Sequence, residues 1–418
     1  MQRRPAVAFV LIAVVIDVIG IGLVLPVLPY LVGEFTGSRE AQTYWYGLFV
    51  VTFGLTQFLC APLLGALSDR FGRRPVLLAS MAGMGLMFFL TTQVRSLGAL
   101  LATRVLGGSL SASISVASAY VADVTPAESR AKGLGLIGAA FGVGFILGPV
   151  MGGMLGHYDI RLPFYVAASL SLLNFAYGVF VLPESLPRER RKRVDLARAN
   201  PFAALLGLAR LRSVGLLVAV IAINNLAQFM LHSTWVLFTE FRFGWGPRET
   251  GLSLFVVGVM AAVVQGGLLG VILRKLGEQR AVLFGLVSAS LAYVGYALAP
   301  QGWMIYAIIC ANLLSFAIGP AMMAIVSKAA DPREQGLVMG TLSSLASLMV
   351  VIAPLVATPL LAEVSHLPSN DWRVGLPYLL SAVLNLGALA MAALHFARHR
   401  AQPAAVREAS PPPLAGEG

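Results

Sequence analysis

Twelve apolar stretches of about 20 residues follow one another along the chain, each long enough to cross about 30 Å of hydrocarbon as a helix. They fall near 7–29, 44–67, 76–93, 97–121, 133–155, 162–182, 214–238, 250–272, 282–299, 303–326, 337–361 and 376–396, numbered here spans 1 to 12. In lipid every backbone N–H and C=O must find its partner inside the protein, so only helices or a closed barrel can cross. The alternating pattern of barrel strands is absent. Composition agrees: 58% of residues are hydrophobic and 12% charged, with mean hydropathy +0.81, against about 25% charged in soluble domains. The expected fold class is an all-α membrane protein. Span 1 follows Met1-Gln2-Arg3-Arg4, a signal-peptide-like start. It is too long for one, contains Asp17 and lacks a small-residue cleavage site, so it reads as a retained transmembrane helix.

Between spans 2 and 3 lies a dense charged turn, Gly65-Ala66-Leu67-Ser68-Asp69-Arg70-Phe71-Gly72-Arg73-Arg74-Pro75. A weaker copy occurs 205 residues later, at Gly270-Val271-Ile272-Leu273-Arg274-Lys275-Leu276-Gly277-Glu278-Gln279-Arg280. The glycines match, Gly65 with Gly270 and Gly72 with Gly277, while the charges invert: Asp69 falls on Arg274 and Arg73 on Glu278. An offset near half the chain length implies two related six-helix bundles. The expected division is 1–182 for the first bundle, 183–213 for a linker, 214–396 for the second bundle and 397–418 for a disordered tail.

The net charge of +11 suggests nucleic acid until its placement is read. With a cytoplasmic N-terminus, the cytoplasmic segments hold 23 of the 30 Lys and Arg residues, the opposite side six, and span 4 one, Arg104. The excess is therefore a topology signal, and both termini are expected in the cytoplasm. The linker's basic run from Arg188 to Arg193 suits a linker first, and anionic lipid head groups second. Cys60 and Cys310 sit in separate spans and suggest neither a disulfide nor a metal site.

Few residues carry chemistry. Asp17 is the one acidic residue well inside an expected span. Its ionised form costs about 2.5–3.5 kcal/mol at mid-membrane, so it needs a partner, water or a proton. It reads as a protonatable or substrate-facing group on a central cavity, or as a structural hydrogen bond to a neighbouring helix. Arg104 is the matching buried cation, suited to holding a carboxylate or biasing its protonation, or to a structural role. Span 5 carries Gly148, Pro149, Gly152 and Gly153, small residues that allow close helix contact and a bend. In span 7, Asn225, Gln228 and His232 lie near one face at helical spacing, with Asn224 beside them. Phe141, Phe145, Phe229, Met230, Trp235, Met322 and Met323 are candidates for an apolar wall.

These motifs resemble the major facilitator superfamily, and within it the twelve-helix drug:proton antiporters of tetracycline-efflux type. The Gly65–Pro75 turn is similar to the superfamily's loop between helices 2 and 3. Asp17 with the following Gly-Ile-Gly-Leu-Val-Leu-Pro is similar to helix 1. Arg104 with its small-residue run, and Gly148-Pro149 with Gly152-Gly153, are similar to the antiporter signatures of helices 4 and 5. Trp235-Val236-Leu237-Phe238-Thr239-Glu240 with Arg242-Phe243-Gly244-Trp245 is similar to the tetracycline exporters after helix 7.

The resemblance implies alternating access of two bundles around a midplane site, with a proton-coupled antiport cycle exporting tetracycline-like or other amphipathic drugs. It assigns proton coupling to Asp17 and Arg104, a gating charge network to Asp69, Arg73 and Asp123, and cavity positions to Gln57, Asn225, Gln228, His232 and Gln265. Asp69 is expected to face the start of span 11 near Gly336, and Arg73 to pair with Asp123. Three polar groups of tetracycline exporters are replaced here, by Met87, Ala261 and Ala289, so coupling would rest on Asp17 with Arg104, and the substrate stays open. The implied partners are a small amphipathic drug, protons and membrane lipids. No nucleic acid, no resident metal and no cofactor beyond the proton gradient is expected, and a metal-chelated drug is one substrate form. The implied location is the inner membrane, as a monomer. The alternative is a carrier for an endogenous metabolite, which would demand more charged cavity residues. An enzyme or sensor is disfavoured: there is no phosphate-binding glycine loop and no zinc motif.

Overall fold

The computed structural model describes residues 7–111, 113–191, 215–329 and 335–408. The chain is helical throughout these residues, with no strand among them. Span 1 is Val7–Val24, and it breaks at Leu25-Pro26-Val27 before a short helix, Leu28–Gly33. Spans 2 and 3 are Arg39–Phe71 and Arg73–Thr92. Span 4 is Leu97–Leu110 continued by Ser113–Val124. Spans 5 and 6 are Arg130–Tyr158 and Leu162–Phe180, and span 7 is Gly215–Phe243. One 52-residue apolar helical stretch, Pro247–Leu298, turns sharply at Gly277, which makes it two crossings, spans 8 and 9. Span 10 is Gly302–Ala311 and Leu313–Ala329, bent by 49° at Asn312. Spans 11 and 12 are Gln335–Val364 and Leu376–Glu408. Twelve crossings result, as expected.

Two differences from the sequence reading matter. Span 7 runs to Phe243 instead of 238, which brings Glu240 into the helix. Span 12 continues to Glu408, past the expected bundle end at 396, while 409–418 lie outside the described residues. Most of the expected linker, 192–213, lies outside them as well.

Local chemistry sets the ends. Ser38 caps span 2 by accepting from the Ala41 N–H at 3.1 Å, and Ser96 caps span 4 through the Ala99 N–H at 3.2 Å. Pro247 opens span 8, and Glu249 accepts from the Gly246 N–H at 3.0 Å. The matched repeat glycines share a backbone state that side chains rarely adopt: φ is +107° at Gly72 and +73° at Gly277. The repeat is thus structural as well as sequential.

Each bundle is assembled alike. Span 1 packs on spans 5 and 6, and span 3 on span 6; in the second bundle span 7 packs on 11 and 12, and span 9 on 12. A buried asparagine ties the last span of each bundle to a neighbouring span, span 1 in the first bundle and span 9 in the second. Asn174 of span 6 donates to the Ala13 carbonyl at 2.9 Å, and Asn385 of span 12 donates to Leu286 at 3.0 Å. The bundles meet through span 2 against span 11 and span 5 against span 8.

Candidate transport site

The two inter-bundle seams are tight along one half of their length and open along the other. Small residues mark the tight half. A Cβ added at Gly153 would lie 2.9 Å from Gly251 Cα, and one at Gly251 would lie 2.5 Å from the Pro149 carbonyl. Gly47 of span 2 abuts Thr358 of span 11 closely enough that no side chain fits. On the other face of span 5, Gly148 packs on Gly22 of span 1, where an added Cβ would come within 2.7 Å. Gly152 presses on the Leu23 backbone. The four expected residues of span 5, Gly148, Pro149, Gly152 and Gly153, therefore form a close-packed plate: one face joins span 1, the other meets the opposite bundle. Further along the same helices the glycines face open space. Gly65, Gly135, Gly138, Gly142, Gly266, Gly267, Gly270 and Gly340 have no neighbour within 4 Å of an added Cβ.

Polar contacts lock the tight end. The Tyr30 hydroxyl donates to the Trp245 carbonyl at 2.8 Å, joining the two bundles. Burial raises the Tyr30 pKa, so this donor stays protonated. The Arg39 guanidinium stacks on the Phe241 ring at 5.1 Å. Glu240 lies beside Arg39 and Gln42, and one of its carboxyl oxygens has no hydrogen-bond partner. Arg242 donates to the carbonyls of Ala299, Ser369 and Asp371 at 3.2, 2.8 and 2.7 Å, which fixes span 7 to two loops of its own bundle. Trp245 stacks between Phe243 and Tyr306 at 5.6 and 5.5 Å. The sequence reading used this segment as a family marker and missed that Glu240, Tyr30 and Arg39 form an inter-bundle lock. The signal available was one acid and one base just past expected span ends.

Beneath the lock lie two connected chambers. The first, about 300 Å³, is apolar: Tyr46, Phe49 and Phe53 of span 2, Met87 and Phe88 of span 3, Phe145, Phe229 and Trp235 form its wall, with Arg104 and Gln57 inserted. The second, about 260 Å³, lies mainly in the C-terminal bundle and is richer in polar side chains, with Asn224, Asn225, Gln228, Gln265, Asn312 and Ser315 set among apolar ones. Phe145, His232, Trp235 and Leu254 face both. A third space of about 250 Å³ shares Asn224 and Asn225 and adds Met322 and Met323.

All five expected cavity residues, Gln57, Asn225, Gln228, His232 and Gln265, therefore line these chambers. Helix irregularities place several of them. Gln265 sits in a π-helical turn, Val264–Leu268. Asn312 sits at the bend of span 10, its Oδ1 accepting from Ser288 at 2.8 Å. Gln57 donates to Ser111 Oγ at 3.0 Å, at the break in span 4. His232 meets Phe229 edge-on, with centroids 6.0 Å apart. Of the wall candidates, Phe145, Phe229, Trp235, Met322 and Met323 face a chamber. Phe141 is exposed and stacks on Phe145 at 6.0 Å, and Met230 is buried with Ala353 and Ala357. Met87 and Ala289, two of the three replaced positions, also face the chambers, whereas Ala261 does not line them.

The expected coupling pair is divided. Arg104 enters the apolar chamber, its Nη2 3.2 Å from both Met87 Sδ and Thr91 Oγ1. Asp17, expected on the cavity, is buried and lines none of these chambers. Its neighbours in sequence, Val14 and Val18, belong to an apolar layer with Val116, Ala117 and Tyr120. The reason is depth along the helix: Asp17 and Ile21 share one face at i, i+4, and the chamber begins one turn on, at Ile21 and Val24.

The charge network forms at the open end. Arg73 is buried, with Nε 3.0 Å from Asp123 Oδ2 and Nη1 2.6 Å from both Asp69 Oδ1 and Ser68 Oγ. Its backbone N–H donates to Glu184 at 2.8 Å, and Ser185 Oγ donates to Asp123 at 3.3 Å. Asp69 pairs with Arg73, and Gly336 lies in the first helical turn of span 11, whose side-chain surroundings lie outside the described residues.

Comparison with known proteins fits this geometry. The family model for the Major Facilitator Superfamily matches residues 10–354. The chain is 39% identical over 387 residues to the class C tetracycline resistance protein of Escherichia coli, covering 92% of this chain and 96% of that one. It is 35% identical to the class G tetracycline resistance protein of Vibrio anguillarum, with the same coverage. The crystal structure of the human organic anion transporter MFSD10 superposes with a TM-score of 0.68 at 26% identity, covering 92% of this chain and 98% of that chain. Twelve helical crossings in two repeated bundles around shared central chambers, and relatives aligned along nearly their whole length, lead to one conclusion: the chain is a multi-pass membrane transport protein of the Major Facilitator Superfamily.

Proposed function

We propose that this protein is a proton-coupled antiporter that exports amphipathic drugs, tetracycline-like compounds among them, by alternating access across a bacterial inner membrane. The observation that carries the reading is the asymmetry of the seams. Both bundles line the same chambers, yet the seams close at the Tyr30–Trp245 end and part at the Asp69 end. The Lys and Arg excess assigns the open end to the cytoplasm, so substrate would enter from there. Rocking the bundles about the glycine plate would break the Tyr30 and Arg39 contacts and bring the Arg73 end together. The Asp69–Arg73–Asp123 network then serves as a gate element.

Asp17 is the proposed proton carrier, since it is a carboxylate set within an apolar layer of span 1. It lies one helical turn from Ile21 on the chamber wall, so its charge state is felt along span 1. Arg104 and His232 face the substrate instead. Among the described residues no Asp or Glu lines the chambers, so these linings offer a metal-chelated drug no carboxylate.

Drug susceptibility of a pump-deficient bacterium expressing this chain tests the reading, beside its Asp17→Asn variant, across tetracyclines, phenicols, quinolones and cationic dyes. Resistance that vanishes in the variant, at equal membrane expression, is expected. Absence of resistance to every compound would favour the metabolite carrier, and resistance undiminished in Asp17→Asn would remove Asp17 from the proton path.

A further inference from the structure

Arg104 is a guanidinium 4% exposed, inserted into an otherwise apolar chamber. Its Nη2 reaches only neutral, weak acceptors, a thioether and a threonine hydroxyl. Its Nε has no hydrogen-bond partner, and no ion pair among the described residues includes it. A guanidinium carries five N–H donors and keeps its charge in proteins. Burying it without a counter-charge is costly, and that cost is recovered when an anion docks. Among the described residues no Asp, Glu or Lys lines either chamber, and the other polar groups of the apolar chamber are the Gln57 amide, hydroxyls and the imidazole of His232.

We infer that the apolar chamber selects amphipathic organic anions, a carboxylate, sulfonate or enolate seated on Arg104 with its aromatic body against Phe49, Phe88 and Trp235. Resting on the exporter reading, the inference adds the charge class of the cargo. Geometry supports it. A space of about 300 Å³ holds a drug-sized molecule. Charge-assisted hydrogen bonds to a fixed guanidinium fork give an anion both affinity and orientation. Organic cations would meet an unscreened like charge, while neutral molecules would leave the guanidinium unsatisfied.

The test uses the full-length protein in lipid nanodiscs, with empty nanodiscs as the blank, and reads quenching of tryptophan emission. The probes are 1-anilinonaphthalene-8-sulfonate, its neutral analogue N-phenyl-1-naphthylamine, and the cation ethidium. The anion is expected to bind about tenfold tighter than the neutral analogue, and ethidium weakest. In Arg104→Gln the anion and the neutral analogue should bind within about twofold of each other, with Arg104→Lys intermediate. Met87→Asp is the second variant, needed if Arg104→Gln fails to fold. It puts a carboxylate where a thioether now touches Nη2 and should erase the anion preference with Arg104 in place. Equal affinities in the unaltered protein, or a preference that survives either Arg104→Gln or Met87→Asp, would overturn the inference. If the dyes bind equally well and a transported drug displaces them, the charge preference fails and the exporter reading stands. If no dye binds and the folded protein confers no resistance, the exporter reading fails and the inference falls with it.

Discussion

The two halves build the same ion pair twice with the charges exchanged. Arg73 pairs with Asp123 in the first bundle, and Glu278 pairs with Lys328 in the second; both pairs span 50 residues, and each partner is displaced by the 205-residue repeat. The surroundings differ. Arg73 is 10% exposed at its side chain, and Asp69, Ser68 and the Glu184–Ser185 turn complete its shell. Lys328 is 70% exposed, and the equivalent of Asp69, Arg274, bonds only its own helix, at the Gly270 carbonyl. A buried, multiply bonded pair resists separation, whereas an exposed pair contributes about 0–1 kcal/mol. One geometry, duplicated, is buried in one half, where it is the proposed gate element, and is a surface contact in the other.

Removing Arg73 should have the largest effect. Arg73→Ala leaves Asp69 and Asp123 facing each other without their cation, and should lower drug efflux from loaded vesicles at least about tenfold with dissociation constants changed by less than about twofold. Loss of drug binding without a turnover defect would contradict the gating assignment. Exchange of the charges is the next test. Arg73→Asp with Asp123→Arg should stay impaired because Asp69 and Ser68 remain positioned for a cation at 73. Glu278→Lys with Lys328→Glu should transport like the unaltered protein. Equal behaviour of the two exchanges would erase the distinction between the halves.

A bulky residue at the glycine plate comes third. Gly153→Leu has no room against Pro247 and Gly251, so it should hold the tight end apart. Labelling of a cysteine placed at Tyr30 by a membrane-impermeant maleimide should then rise severalfold. Smallest of all, Glu278→Ala should change efflux by less than about twofold and stability by less than about 1 kcal/mol.

Residue pattern alone made the twelve crossings, the repeat and the face of Asn225, Gln228 and His232 legible, whereas the Arg73–Asp123 pair, Gln57 and Gln265 were implied by the family resemblance. The reason is physical: hydropathy marks what lipid must solvate, and a polar residue inside such a stretch needs a cavity or a partner. Depth along a helix was less legible. Asp17 and Ile21 share one face a turn apart, and only the tertiary packing around span 1 decides where on that face the chamber begins. The Tyr30, Arg39 and Glu240 lock was hidden because its parts come from opposite bundles, and their pairing is tertiary. The same holds for Gly47 against Thr358, which no local pattern reveals.

Paired distances at the two ends test the central claim, that the bundles rock about a closed seam, most directly. Cys60 and Cys310 would be replaced by serine. Spin labels would be placed at Gly37 and Arg248 beside the lock, and in a second protein at Arg70 and Arg274 beside the charge network. All four positions are exposed. Pulsed electron-electron resonance in nanodiscs, with and without drug and across a pH series, reads both. The account predicts a second population in which the first distance lengthens while the second shortens. Distances that change together, or a single unshifted population at both ends under every condition in a transport-competent protein, would contradict it.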